Sequence, residues 1–207
     1  MRKRILMCIM VIATAVAFMP TSAFAAGKTV KMTTYNVYKT GSTAYCAGDS
    51  GIYKVKVKNG KVMSKKRLVK SEAHSYIYSL KKKGNYLYFS NGTEGTVTYI
   101  CRVKTTGGKV KVLACVNEMF GFAIKGKKIY YSYCDWDEKN DTEKEACKVM
   151  NLNGKGKKST NVRPYNKART SNVKGYSVKS KTKGAYVRDY LKTPKRTYYL
   201  GKSKKYD

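Results

Sequence analysis

All-β is the class this sequence predicts, built as about four antiparallel units of four short strands each, in a closed ring or an open arc. Three observations carry that reading. First, IYKVKVKNGKV from Ile52, ICRVKTTGGKV from Ile100 and ACKVMNLNGKG from Ala146 align without gaps. Each has a basic residue and Val at its third and fourth positions, and Gly-Lys at its ninth and tenth. Second, Tyr53, Val55 and Val57 alternate with Lys54, Lys56 and Lys58, the period of a strand covered on one face. Third, Asn59-Gly60, Gly107-Gly108 and Asn153-Gly154 sit where tight turns need a positive φ. Nineteen tyrosines and three prolines suit half-buried strands. Four-stranded units that recur every ~40–45 residues are the mark of propeller blades.

Taken in order, residues 1–25 read as an export signal. Arg2, Lys3 and Arg4 precede an apolar run over 5–19, then Pro20 and the small-residue site Ala23-Phe24-Ala25. The run is about 15 residues, short of the ~20 that span a bilayer, and no second apolar run follows. The expectation is a secreted chain, extracellular or wall-associated, starting near Ala26 or Gly27, with no transmembrane segment after cleavage. Residues 26–207 then form a single repeat domain with units near 29–71, 72–115, 116–161 and 162–207.

The unit boundaries follow from the marker tyrosines Tyr45, Tyr88, Tyr130 and Tyr186. GNYLYFS from Gly84 matches GKKIYYS from Gly126, while GSTAYCA from Gly41 and GAYVRDY from Gly184 match more loosely. In the second unit the predicted strands are 76–80, 86–90, 97–104 and 109–115. In the third, strands 129–133 and 146–152 flank a long acidic loop. The last unit stops after a third strand at 196–200, and the chain start, 28–34, is the candidate to supply its missing outer strand.

The segment IYYS…CKVMNLNGKGKK resembles the blades of bacterial secreted β-propeller-like repeat proteins of unknown function. These are distantly similar to the YWTD-type propellers of low-density lipoprotein receptors. The match is good over 129–158, moderate over 84–111 and loose over 41–62. Ile129-Tyr130-Tyr131-Ser132 stands where that family has Tyr-Trp-Thr-Asp, and Asn153-Gly154 replaces its Asp-Gly turn. The resemblance implies an architecture and leaves the ligand unnamed, because propellers host many functions.

A formal net charge of +32 favours contact with polyanions, although lysines also keep sheet edges from pairing. In an up-and-down meander the turns alternate between two ends. One end takes Lys81, Lys82, Lys83, Lys127, Lys128, Lys157, Lys158, Lys179, Lys181 and Lys183. The other takes Asp49, Glu72, Glu94, Glu118, Asp189 and the acids of the loop after Cys134. A lysine rim opposite an acidic rim is therefore expected.

Within the acidic loop, Asp135, Asp137 and Asp141 are oxygen ligands suited to calcium, but the EF-hand spacing is absent. Trp136 is the chain's one tryptophan; it stacks on a sugar, anchors a partner or packs back over the sheet end. Cys134 and Cys147 bracket this loop as a candidate disulfide. Alternation puts Cys147 on the face of Val149 and Cys134 opposite Ile129 and Tyr131, which speaks against the pair. The five cysteines beyond residue 25 leave at least one thiol over. His74 is the one histidine, which excludes multi-histidine metal sites.

These residues predict a non-enzymatic binding module with no cofactor and no specific nucleic-acid partner. It would hold an anionic cell-surface polymer or an extracellular protein through Trp136, Asp135, Asp137, Asp141, Lys82, Lys83, Lys127, Lys128, Lys157 and Lys158. The alternatives are a small carbohydrate-active enzyme using rim carboxylates Asp49, Glu94, Asp135 and Asp189, or one structural half of a larger propeller assembly.

Overall fold

The computed structural model describes residues 28–93, 97–168 and 171–205. The expected export signal, Glu94 and Asp207 lie outside the described residues. The described chain is all-β; it contains no helix, and hence none long and apolar enough to cross a membrane. The first strand is β1 (Thr29–Thr34). Sheet 1 follows as β2 (Val37–Thr40), β3 (Thr43–Gly48), β4 (Gly51–Lys58) and β5 (Lys61–Lys70). Sheet 2 is β6 (Ser75–Lys83), β7 (Tyr86–Thr93), β8 (Val97–Lys104) and β9 (Lys111–Asn117). Sheet 3 is β10 (Met119–Lys125), β11 (Lys128–Asp137), β12 (Thr142–Asn151) and β13 (Lys158–Ser159). After β14 (Arg163–Ala168), sheet 4 has three strands, β15 (Ser177–Lys183), β16 (Tyr186–Lys192) and β17 (Thr197–Lys204).

The expected alternation is realised in β4. Tyr53, Val55 and Val57 are buried while Lys56 and Lys58 are exposed. Both residues of the Asn59-Gly60 turn have positive φ, 49° and 73°, as a tight hairpin between right-twisted strands requires.

Three apolar layers hold the sheets face to face. Tyr45, Ile52 and Leu68 of sheet 1 meet Ile77, Leu80 and Phe89 of sheet 2. Tyr88, Ile100 and Leu113 of sheet 2 meet Phe122, Tyr131 and Met150 of sheet 3. On its other face, sheet 1 packs Tyr53, Val55 and Val57 against Val178, Leu191 and Leu200 of sheet 4. The order in space is therefore 4–1–2–3.

The sheets do not close into a ring. β1 and β14 pair in parallel, Thr29 opposite Arg163 through Thr34 opposite Ala168, and this ribbon lies against β6, β10 and β11 of sheets 2 and 3. Val30 of this ribbon packs on Ala123 and Tyr130 of sheet 3. The chain start thus does not complete sheet 4, as the sequence suggested. Two carbonyls of β17 are taken by side chains of β5 instead, Lys65 Nζ donating to Tyr199 O at 2.7 Å and Arg67 to Lys202 O at 2.8 Å. Such capping blunts a strand edge.

Sheet 4 is offset by one strand relative to sheet 1, β15 lying on β3 and β17 on β4 and β5. Thr193, in its β16–β17 turn, donates to Gly60 O at 2.7 Å, in the β4–β5 turn of sheet 1. Ser180 Oγ lies 3.1 Å from Asp49 N, in the opposite, β3–β4 turn. Beyond β5, His74 N donates to Lys205 O at 3.0 Å. The cause is the segment after β14. Ser171 bridges Val37 in parallel, and Asn172 clamps Lys39 through its N–H at 2.6 Å and its carbonyl at 2.8 Å. This extra pass beside β2 returns the chain to the lysine end before β15 begins. Lys181 and Lys183 consequently lie at the end where acids were expected, and the two-rim layout holds for sheets 1–3 only.

Candidate functional site

A break in β6 shapes the candidate site. Its ladder to β7 shifts between Tyr78 and Lys81. Ser79 there adopts a φ of 58°, a left-handed conformation unusual outside glycine. Fully buried Leu80 accepts a hydrogen bond from Tyr35 N at 3.3 Å. The offset that relates Gly41 to Gly84 also relates Tyr35 to Tyr78, Asn36 to Ser79 and Tyr38 to Lys81. Equivalent residues of two repeats therefore meet here, and a cavity opens on either side of Tyr35.

The cavity at the lysine end measures about 220 Å³ and is lined by Lys31, Tyr35, Tyr38, Lys81, Lys82 and Lys83, with Thr33 and Ile124. No carboxylate lines it. Lys81, expected as an exposed turn lysine, is only 8% exposed. Its Nζ donates to Thr33 O at 2.6 Å and stands 5.2 Å from the centre of the Phe122 ring. Burial pulls its pKa down to about 8. The Tyr35 and Tyr38 rings meet edge to face at 5.7 Å. Lys82 donates to Gly84 O at 3.0 Å, which holds its stem along the turn.

The other predicted lysines do not join this cavity. Lys127, Lys128, Lys157 and Lys158 are exposed on turns of sheet 3, with Lys128 Nζ bound to Asn151 Oδ1 at 2.6 Å. Lys31, Tyr35 and Tyr38 were missed by sequence reasoning. The signal for the tyrosines was present in the repeat offset, extended upstream of Gly41; nothing local marks Lys31.

The acidic stretch is not a long loop. β11 and β12 stay paired out to Asp137 and Thr142, leaving a turn at 138–141. Alternating charge sustains the ladder: Asp135 stands opposite Lys144, and Asp137 holds Lys144 Nζ at 3.1 Å. Asp137 also accepts from Lys139 N at 3.2 Å and Asn140 Nδ2 at 3.4 Å, so its oxygens cap the turn. These contacts, led by Lys144, hold its pKa below the usual carboxylate value. Asp135, Asp137 and Asp141 do not gather: no group of three His, Cys, Asp or Glu suited to a metal exists among the described residues. Trp136 is 53% exposed and stands opposite Glu143. Phe120, 54% exposed at a bulge in β10, is the third-repeat counterpart of Tyr35 and Tyr78.

Cys134 and Cys147 carry free thiols here, as do Cys46, Cys101 and Cys115. Val149 pairs with Tyr130, so the face of Val149 is the one opposite Ile129, and both cysteines lie on it as diagonal neighbours. Burial and the nearby carboxylates of Glu143 and Glu145 raise their pKa values. Burial pushes Cys101 up to about 12, and Cys46 up as well. A thiol reagent is expected to modify exposed Cys115 first and buried Cys46 and Cys101 only on unfolding. The denatured chain beyond residue 25 should titrate five thiols; a count lower by two, with Cys134 and Cys147 recovered in one linked peptide, would place a bond between them.

Asp189 was expected on the acidic rim. It is instead fully buried in the seam between sheets 1 and 4. Its carboxylate accepts from Ser50 N at 2.9 Å, Ser50 Oγ at 2.6 Å and Ser180 Oγ at 2.7 Å. No protein-family model matches this chain, and no curated protein matches it either.

Proposed function

We propose that the protein is an exported, non-enzymatic binding module that seats an anionic group of a surface polymer in the cavity of Lys31, Lys81, Lys82 and Lys83. The build is that of a propeller-related stack. The observation that supports this reading best is that four amines line one cavity free of carboxylates. Charge-assisted bonds from ammonium groups to phosphate or carboxylate oxygens are about twice as strong as neutral ones. They gain further where water is partly excluded, as around Lys81. Tyr35 and Tyr38 offer apolar faces to the polymer unit beside the anion. The net charge of +32 would draw such a polymer in from a distance. The enzyme alternative is weakened by Asp189, whose oxygens are saturated by three donors away from solvent.

The test is binding of the exported chain to immobilised poly(glycerol phosphate) and polygalacturonate over a salt series. Screening reaches ~8 Å at physiological salt, so affinity should fall steeply as salt rises. The Lys82→Glu/Lys83→Glu double variant is expected to lose about tenfold or more, ~1.4 kcal/mol. Lys181→Glu/Lys183→Glu reverses the same charge at the opposite end and should lose far less. Equal losses would reduce the effect to overall charge and sink the cavity assignment.

A further inference from the structure

We propose that the cavity on the far side of Tyr35 is a second site, and that it takes a neutral polyol such as one hexose ring. This goes beyond the anion seat in both place and ligand class. The cavity measures about 440 Å³, within the ~300–1,000 Å³ range of small-molecule sites. Tyr35, Asn36, Asp49, Tyr78, Ser79 and Ser180 supply its polar and aromatic lining, and no lysine or arginine lines it.

Its unused groups are acceptors. Asn36 Nδ2 donates to Val178 O at 3.2 Å, which fixes the amide and leaves Oδ1 buried without a partner. Asp49 forms no ion pair among the described residues. A carboxylate without a cationic partner calls for a ligand rich in hydroxyl donors. Tyr35 and Tyr78 add ring faces against which the C–H face of a sugar packs.

Charge weighs against the competing ligand classes. An anion would meet Asp49 with no cation to balance it. A small cation would have to approach a chain of net charge +32, whose field repels it. The backbone points the same way. Ser79, with φ 58°, is the repeat counterpart of Asn36, and both line this cavity. Strained non-glycine residues that persist in a folded chain collect at ligand sites.

The experiment is titration of the exported chain with cellobiose, maltose and N,N′-diacetylchitobiose, followed by saturation-transfer NMR and calorimetry. Choline and inorganic phosphate serve as charged controls. At least one disaccharide should saturate the protein. Asp49→Asn and Tyr78→Leu should each weaken it about tenfold, ~1.4 kcal/mol. Tyr78→Phe, which keeps the ring, should retain affinity, and Lys82→Glu/Lys83→Glu should leave it unchanged. Circular dichroism melts establish that each variant is folded. Saturation by none of the three disaccharides overturns the proposal. So does preferential binding of choline, full affinity in Asp49→Asn, or equal loss in the lysine double variant.

Discussion

Replacing Asp189 with alanine is expected to lower the unfolding free energy by about 3–5 kcal/mol, the largest single-residue effect in the seam between sheets 1 and 4. Three donors converge on this carboxylate, Ser50 N–H and Ser50 Oγ on one oxygen and Ser180 Oγ on the other. Burial pushes its pKa up, the bonds from Ser50 and Ser180 pull it back, and the nearby charge of Asp49 pushes it up again. Alanine would leave those donors facing a void. Losing a desolvated charge offsets part of that cost, which keeps the figure from being larger. Asparagine separates the two contributions. It keeps an acceptor for Ser50 N–H, offers its amide to Ser180 Oγ, and carries no charge to desolvate. Asp189→Asn should therefore stay within about 1 kcal/mol of the parent.

Gly48 belongs to the same unit, because a Cβ built there would overlap the Asp189 carboxylate. Gly48→Ala should cost as much as Asp189→Ala, and the double variant less than the sum. Urea unfolding with an unchanged m-value is the measurement. Asp189→Ala within 1 kcal/mol of the parent would show that the seam is held by its apolar layer alone.

Lys81→Met is expected to stabilise the protein at neutral pH by about 2 kcal/mol and to weaken anion binding in the same variant. The lysine's pKa falls from 10.5 to about 8 on burial. Below pH 8 both folded and unfolded chains hold the proton, and the folded chain bears the whole burial cost. Between about 8 and 10.5 the folded chain releases the proton while the unfolded chain keeps it, so this contribution to stability rises with pH. Its full span is about 3 kcal/mol at 1.36 kcal/mol per unit. The lost hydrogen bond to Thr33 O takes back about 1 kcal/mol of the gain in the methionine variant.

Buried thiols act in the opposite direction over part of that window. Cys46 and Cys101 stay protonated when folded and ionise near 9 when unfolded, so their contribution falls as pH rises past 9. The informative quantity is therefore the stability difference between Lys81→Met and the parent. It should shrink steadily from pH 8 to 10.5. A difference that stays constant over that range would mean that Lys81 is solvated in the folded protein.

Much of the local structure was legible because its causes are local. The β8 strand has the bounds that the repeat and its flanking turns predict, Val97–Lys104. Asn59-Gly60 turns as its backbone freedom dictates, and the last unit ends after three strands, as its length implied. Lys82 and Lys83 line one cavity at the lysine end, where turn position alone put them. The acidic hairpin was misread for a local reason too. Polarity marked it as loop, whereas alternating acids and lysines can face one another across a ladder and extend it.

What only the tertiary structure decided is which surfaces find each other. Antiparallel neighbours announce themselves through short turns, but the parallel β1–β14 pair joins strands far apart in the chain with no turn to mark it. The pass of 171–176 beside β2 likewise offset sheet 4 by one strand. Lys81 shows the same limit within one strand. Period-two alternation says which side a residue faces and is silent on whether that side is covered. β1 and Phe122 happen to cover the side of Lys81, and this turns a surface lysine into the floor of a cavity. The sequence determined strands, turns and charge; long-range packing, which no local pattern encodes, determined where the charge is concentrated and where it is neutralised.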